Sequence, residues 1–168
     1  IAEIKELVFD RNGICEFTIS NNVTKIGNLA FFTDKNPERT FTCRKETAPA
    51  LGDRSFGAAA NITNTKAKVL KAYADAYAAW ATAGLTIEYL TQPIGITIES
   101  IGTVTVAGEG VASEITTITN GSTIEAYEGE TVTFTVSPAA TVKSGDTELT
   151  PDENTDGDYT VTIGDTPL

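Results

Sequence analysis

The chain contains no histidine. That removes His-based triads, imidazole metal sites and the commonest general base. Methionine is absent as well, so Ile1 is not expected to be a translation start, and the chain is expected to be a processed or excised piece of a longer protein. The two cysteines, Cys15 and Cys43, form no Cys-x-x-Cys pair, which excludes a redox motif and a zinc knuckle. They are read as small apolar core residues or, alternatively, as a disulfide. No apolar run approaches the ~20 residues of a membrane-crossing helix, and the opening Ile1-Ala2-Glu3-Ile4-Lys5 does not read as a signal peptide. Phosphate-binding loops, nucleophile elbows and dinucleotide fingerprints are missing too. No enzyme is expected.

Positive charge is scarce in one half only. Residues 1–92 carry 11 Lys/Arg and 10 Asp/Glu, whereas residues 93–168 carry one Lys, Lys143, and 13 acidic side chains. A step from +1 to −12 argues for two units, 1–92 and 93–168. The acidic half repels phosphate, so nucleic acid is not an expected partner.

What the first half does have is a repeat. Ile26-Gly27-Asn28-Leu29-Ala30-Phe31 returns as Leu51-Gly52-Asp53-Arg54-Ser55-Phe56, and each copy follows a β-prone stretch, Phe17-Thr18-Ile19 and Phe41-Thr42-Cys43. Ile4-Lys5-Glu6-Leu7-Val8-Phe9 is an earlier echo. Periods of 22–25 residues suit a strand plus an irregular return in each turn. Ile19 and Cys43 are expected on one inward ladder, and Phe31 and Phe56 on a second apolar column. Gly27 and Gly52 suit a bend where a side chain would clash.

The run from Phe17 to Phe31, with its Val23-Thr24-x-Ile26-Gly27-x-x-Ala30-Phe31 core, resembles the BspA-type leucine-rich repeat of bacterial surface proteins. The resemblance covers about residues 4–90. The stretch from Phe41 to Phe56 is similar to that family's last repeat, with Ala48-Pro49 where the family usually has Pro-Pro. The polar insert Thr33–Glu38 departs from its pattern. The resemblance implies the final turns of a leucine-rich-repeat solenoid, extracellular or on a bacterial surface, preceded by further repeats in the full-length protein. The first layer, around Ile4, Leu7 and Phe9, is then expected to be an open apolar end.

Residues 65–83 read as a capping helix. Leu70, Tyr73, Tyr77 and Trp80 form one apolar stripe, seven alanines raise helix propensity, Asn64 or Thr65 caps the start and Gly84 stops it. The only tryptophan, Trp80, is read as a lid over the repeat core, with a sugar-stacking platform as the other reading. Family analogy supports the lid.

Thr91-Gln92-Pro93 is expected to be a joint where strand pairing resets. Alternation dominates beyond it: Ile94, Ile96 and Ile98; Val104 and Val106; Thr131 to Val136; Tyr159 to Ile163. Turns are expected at Asn120-Gly121, Glu128-Gly129, Ser144-Gly145-Asp146 and Asp156-Gly157. The run from Tyr127 to Pro138 is similar to small Ig-like or InlB-B-repeat-like surface modules, which leaves an Ig-like sandwich and a β-grasp both open. The expected fold class is thus mainly β with one helix: a partial solenoid capped by that helix, plus a small acidic all-β domain.

Asp152, Asn154, Asp156 and Asp158 place oxygens at alternate positions, as a weak calcium loop would. The same residues are ordinary hairpin-turn residues, and the twelfth position is Ile163 rather than a bidentate Glu. No other cofactor is expected. The expected role is adhesin-like protein–protein interaction with a host or microbial surface, the β-domain serving as spacer. The outward strand residues Thr18, Ser20, Thr40, Thr42 and Arg44 mark the surface. A carbohydrate-binding module and a structural connector without its own ligand are the alternatives.

Overall fold

A computed structural model of the chain describes residues 1–97, 103–112, 118–137, 141–144, 147–152 and 157–165. Among these residues the fold is mainly β with one α-helix. The chain divides into two compact units, Ile1–Leu90 and Thr91–Leu168.

The first unit holds β1 (Glu3–Ile4), β2 (Glu16–Ile19), β3 (Lys25–Ile26), β4 (Arg39–Cys43), β5 (Ala50–Leu51), β6 (Thr65–Val69), α1 (Ala78–Thr82) and β7 (Thr86–Tyr89). All of its strand pairs are parallel. One sheet has the order β2-β4-β6-β7 and the other β1-β3-β5, so both grow in chain order. The alternation of each strand decides its faces. In register across the larger sheet, Phe17, Phe41, Ala67 and Ile87 form one inward row, and Ile19, Cys43 and Val69 begin another. The expected Ile19–Cys43 pairing is therefore present.

Between the sheets lies an aromatic column. Phe9 stacks on Phe31 at 5.0 Å and Phe31 on Phe56 at 5.8 Å, the second pair within 10° of parallel. Phe17 and Phe41 meet the column edge-on, at 5.0 Å from Phe31 and 4.7 Å from Phe56 respectively. Trp80 closes it, 5.3 Å from Phe56 and fully buried. Its indole N–H donates to the Pro49 carbonyl at 3.0 Å, and the Tyr77 hydroxyl donates to the Lys45 carbonyl at 2.9 Å. These two bonds fix the helical segment over the loop between β4 and β5.

On the return side the turns touch backbone to backbone. Gly27 N donates to Ile4 O at 2.7 Å and Gly52 N to Ile26 O at 2.8 Å. Neither glycine has a positive φ. A Cβ on Gly27 would lie 2.7 Å from Glu6 N; both glycines are there to let the previous turn approach. Two residues beyond each, Leu29 and Arg54 take left-handed φ of 54° and 43°, as Leu7 does at 58°.

The expected helix over 65–83 is corrected. Thr65–Val69 is strand β6, Lys71–Tyr77 is a 3-10 helix and only Ala78–Thr82 is α-helical. Asn64 and Thr65 cap nothing; Leu70, extended and with no side-chain cap, starts the helical stretch. Alanine propensity loses to pairing: Thr65, Ala67 and Val69 are all fully buried, and β6 bonds to β4 and β7 on either side. Gly84, at φ 110°, does end the segment. The open apolar end is also corrected in part. Leu7 is 49% exposed, but Ile4 is buried and Phe9 is half-buried against Phe17 and Phe31.

The second unit contains β8 (Thr91–Gly95), β9 (Thr103–Ala107), β10 (Thr123–Tyr127), β11 (Thr131–Ser137), β12 (Lys143–Ser144), β13 (Thr147–Glu148) and β14 (Asp158–Thr162). Pairing is antiparallel throughout: β8 with β10, β11 between β9 and β14, and β12 with β13. Strand pairing does reset at residues 91–93, which open β8: β7 pairs with β6 in the first unit and β8 with β10 in the second. Pro93 sits opposite Glu125, and among the described residues β8 has one partner strand, so a missing N–H is tolerated. Ile94, Ile118, Ile124, Ala126, Val132 and Ile163 make the core. Gly121, Gly129 and Gly157 carry positive φ at three of the expected turns. Ile98, Pro138, Gly145, Asp146 and Asp156 lie outside the described residues.

Candidate functional site

The outward face of the β2-β4-β6-β7 sheet follows from the same alternation. Register sets Glu16, Thr40, Lys66 and Thr86 in one row and Thr18, Thr42, Lys68 and Glu88 in the next. Lys66 Nζ lies 2.8 Å from Glu88 Oε1, and that hydrogen bond raises the lysine pKa above its ordinary value. Thr18 and Ser20 are exposed, while Thr40, Thr42 and Arg44 are half-buried. Thr18, Thr40 and Thr42 of the sequence-predicted surface therefore share one face and are only part of it, while Ser20 and Arg44 lie just beyond the ends of β2 and β4. The helix expected over 65–83 hides Lys66 and Lys68, which lie in β6. The signal was available: Thr65-Lys66-Ala67-Lys68-Val69 alternates strictly, 26 residues after Arg39-Thr40-Phe41-Thr42-Cys43.

Arg39 was also missed. It occupies an inward strand position and is 4% exposed. Its Nη1 donates to Phe31 O and its Nη2 to Phe56 O, both at 2.7 Å, while Nε and Nη2 reach Thr65 Oγ1 at 3.3 and 3.1 Å. The guanidinium lies 5.6 Å from the Phe41 ring centre. All these partners are neutral. Burial lowers the Arg39 pKa below its ordinary value, opposed by the nearby Cys15 side chain. Arg39 bridges the carbonyls of two successive turns, which is a structural task no periodicity reveals.

Arg39 also lines a cleft of about 390 Å³. Phe9, Ile14, Phe31 and Phe32 supply its apolar wall, and Arg11, Asp34 and Lys35 its charged part. Arg11 pairs with Asp34 at 3.7 Å and sits 5.7 Å from the Phe32 ring centre. Asp10, between two lining residues, has a buried Oδ1 without a hydrogen-bond partner.

Both cysteines are free. Cys43 is buried in the core, but Cys15 is exposed, correcting its reading as a core residue. Cys43 pairs in register with Ile19, and Thr40 N bonds to Cys15 O. Burial, followed by the Cys43 hydrogen bond, pushes the Tyr77 hydroxyl pKa well above its ordinary value.

Of the calcium-loop candidates, Asn154 and Asp156 lie outside the described residues. Asp152 N bonds to Asp158 O at 2.8 Å, Asp152 Oδ2 accepts from Thr160 at 2.7 Å, and Asp158 Oδ1 accepts from Thr135 at 2.6 Å. Both described carboxylates are thus engaged by threonine hydroxyls, that of Asp158 across the β11–β14 pair. Among the described residues no group of three or more Cys, Asp or Glu stands ready for a metal, and no helix is long and apolar enough to cross a membrane.

No protein-family model, curated protein or solved structure matches this chain.

Proposed function

We propose that the chain is a non-enzymatic interaction protein of a bacterial surface or secreted assembly. In this reading the first unit is the final part of a BspA-type leucine-rich-repeat solenoid, and Trp80 is its lid. The second unit is a small Ig-like β-module acting as spacer. The outward face of β2, β4, β6 and β7 binds a protein on a host or microbial surface.

The observation that carries this reading is the pair of outward rows Glu16-Thr40-Lys66-Thr86 and Thr18-Thr42-Lys68-Glu88. Parallel strands laid side by side present hydrogen-bonding and charged groups at fixed spacing on one continuous face. Such a face suits polar, adaptable protein contact rather than small-molecule turnover. The Phe17–Phe31 pattern supports the surface-protein part, and the shared core of Ile94, Ile124, Ala126 and Val132 supports a packed all-β module, Ig-like or β-grasp-like.

The test uses beads coated with the whole chain and scored for attachment to bacterial and epithelial cells. Wild-type beads attach above albumin-coated controls, and Thr42→Glu with Lys68→Glu abolishes attachment. Charge reversal in the second unit, Lys143→Glu, leaves attachment intact. Attachment that survives the double substitution, or no attachment by the wild type, refutes the assignment.

A further inference from the structure

We infer that the cleft between the first two turns is a binding site for a small organic carboxylate with an aromatic or branched apolar body. The site is separate from the outward sheet face and does not depend on the role proposed for it.

The argument starts with proton counting. A guanidinium has five N–H donors and keeps its charge in proteins. Arg39 uses four of them: one on Phe31 O, one on Phe56 O and two on Thr65 Oγ1. One Nη1 proton is left over on a side chain that is almost wholly buried and lines the cleft. Every acceptor it has found is neutral, so a buried positive charge stands without a carboxylate. A carboxylate entering the cleft would supply both the missing acceptor and the missing charge, as a charge-assisted bond.

The surroundings agree in sign and in shape. Arg11 and Asp34 pair with each other in the lining, which leaves Lys35 and Arg39 as its two positive groups without an acidic partner there, against Asp10 just behind it. The first unit carries none of the acidic excess of the second, so its field does not oppose an anion. Phe9, Ile14, Phe31 and Phe32 offer ring faces and an aliphatic edge for an apolar body. About 390 Å³ is at the small end of ligand pockets. It accommodates a single-ring acid rather than a cofactor.

Phenylacetate is the probe, titrated into the isotope-labelled whole chain and followed by amide chemical shifts. The expected result is saturable shifts at Gly13, Ile14, Thr33 and Lys35. Phenylacetamide, equal in shape but uncharged, binds at least about tenfold more weakly, since hydrogen bonds to charged partners are roughly twice as strong as neutral ones. Lys35 is exposed, so Lys35→Glu folds normally and weakens phenylacetate binding several-fold. Arg39→Gln abolishes binding; if that variant does not fold, Lys35→Glu decides. Absence of saturable shifts, equal binding of the amide, or unchanged affinity in Lys35→Glu overturns the inference.

Discussion

Substituting Gly52 by alanine is expected to be among the costliest single-methyl changes in the first unit. The reason is crowding rather than backbone conformation. A Cβ at Gly52 would stand 2.6 Å from Asn28 N and 2.8 Å from Gly27 C, and would also strike Asn28 Oδ1. The Asn28 side chain is not free to swing away, because its Oδ1 accepts from Asp53 N at 2.9 Å. The obstacles are therefore backbone and a bonded amide, and the two turns must separate where Gly52 N meets Ile26 O. Overpacking of this kind costs about 2–3 kcal/mol. For a unit of this size that is a fall in Tm of roughly 8–24 °C. Two other glycines isolate the cause. Gly13 has φ 72° and nothing within 4 Å of its Cβ position, so Gly13→Ala meets only the left-handed penalty, about 1–2 kcal/mol before the unfolded-state gain. Gly95 has neither problem and sits in β8 of the second unit. Trp80, the only tryptophan, is buried in the first unit, so its fluorescence on heating reports that unit alone. The expected order of Trp80-monitored Tm is Gly52→Ala lowest, Gly13→Ala next, and Gly95→Ala equal to the parent. A Gly52→Ala protein that melts with the parent, or above Gly13→Ala, refutes the close-approach argument.

Three more outcomes are expected. Ellman's reagent should titrate one thiol per native chain, Cys15, and a second, Cys43, only in denaturant; two fast thiols would contradict the burial of Cys43. The folded Tyr77 hydroxyl has a raised pKa, so its contribution is intact below the unfolded value near 10 and falls as pH rises toward the folded one, by about 1.4 kcal/mol per pH unit. Tyr77→Phe should therefore lose the Lys45 carbonyl bond, about 1 kcal/mol at pH 7, yet flatten the stability decline above pH 10 seen in denaturant titrations. Arg54→Gly removes a left-handed arginine whose ion pair with Asp53 is exposed; relief of strain and lost glycine entropy, each about 1 kcal/mol, nearly cancel, so Tm should stay near the parent value, and a large fall would mean that Arg54 holds something else.

The parts of the fold that were legible in the residues are those where side-chain identity repeats with the geometry. Ile19 and Cys43 share a row, and Phe31 and Phe56 share a stack, because apolar residues of like size recur at the period of one turn. The third strand was hidden because Ala67 stands in the row of Phe17 and Phe41, and Ala67 reads as helix when counted with the alanines that follow. The alternation Thr65-Lys66-Ala67-Lys68-Val69 is the one local sign of extension, and pairing with β4 and β7 decides for it. Arg39 was hidden for a different reason. A charge at an inward position breaks the hydrophobic pattern, and its acceptors, the Phe31 and Phe56 carbonyls, belong to the backbone and leave no trace in residue types. The outward face was half legible: threonines at Thr18, Thr40 and Thr42 marked it, and its lysines were lost with β6.

In the first unit each strand of the larger sheet lies beside those that precede and follow it in the chain, in the order β2, β4, β6, β7. Such an arrangement has no element that closes back on the beginning. Under the proposed solenoid reading, length is an adjustable quantity: a block of one period can be gained or deleted by recombination without any distant pair of residues having to change in concert. Folding can likewise advance turn upon turn, each finished layer serving as the template for its successor. The same order means that damage to one layer is felt most by the two beside it.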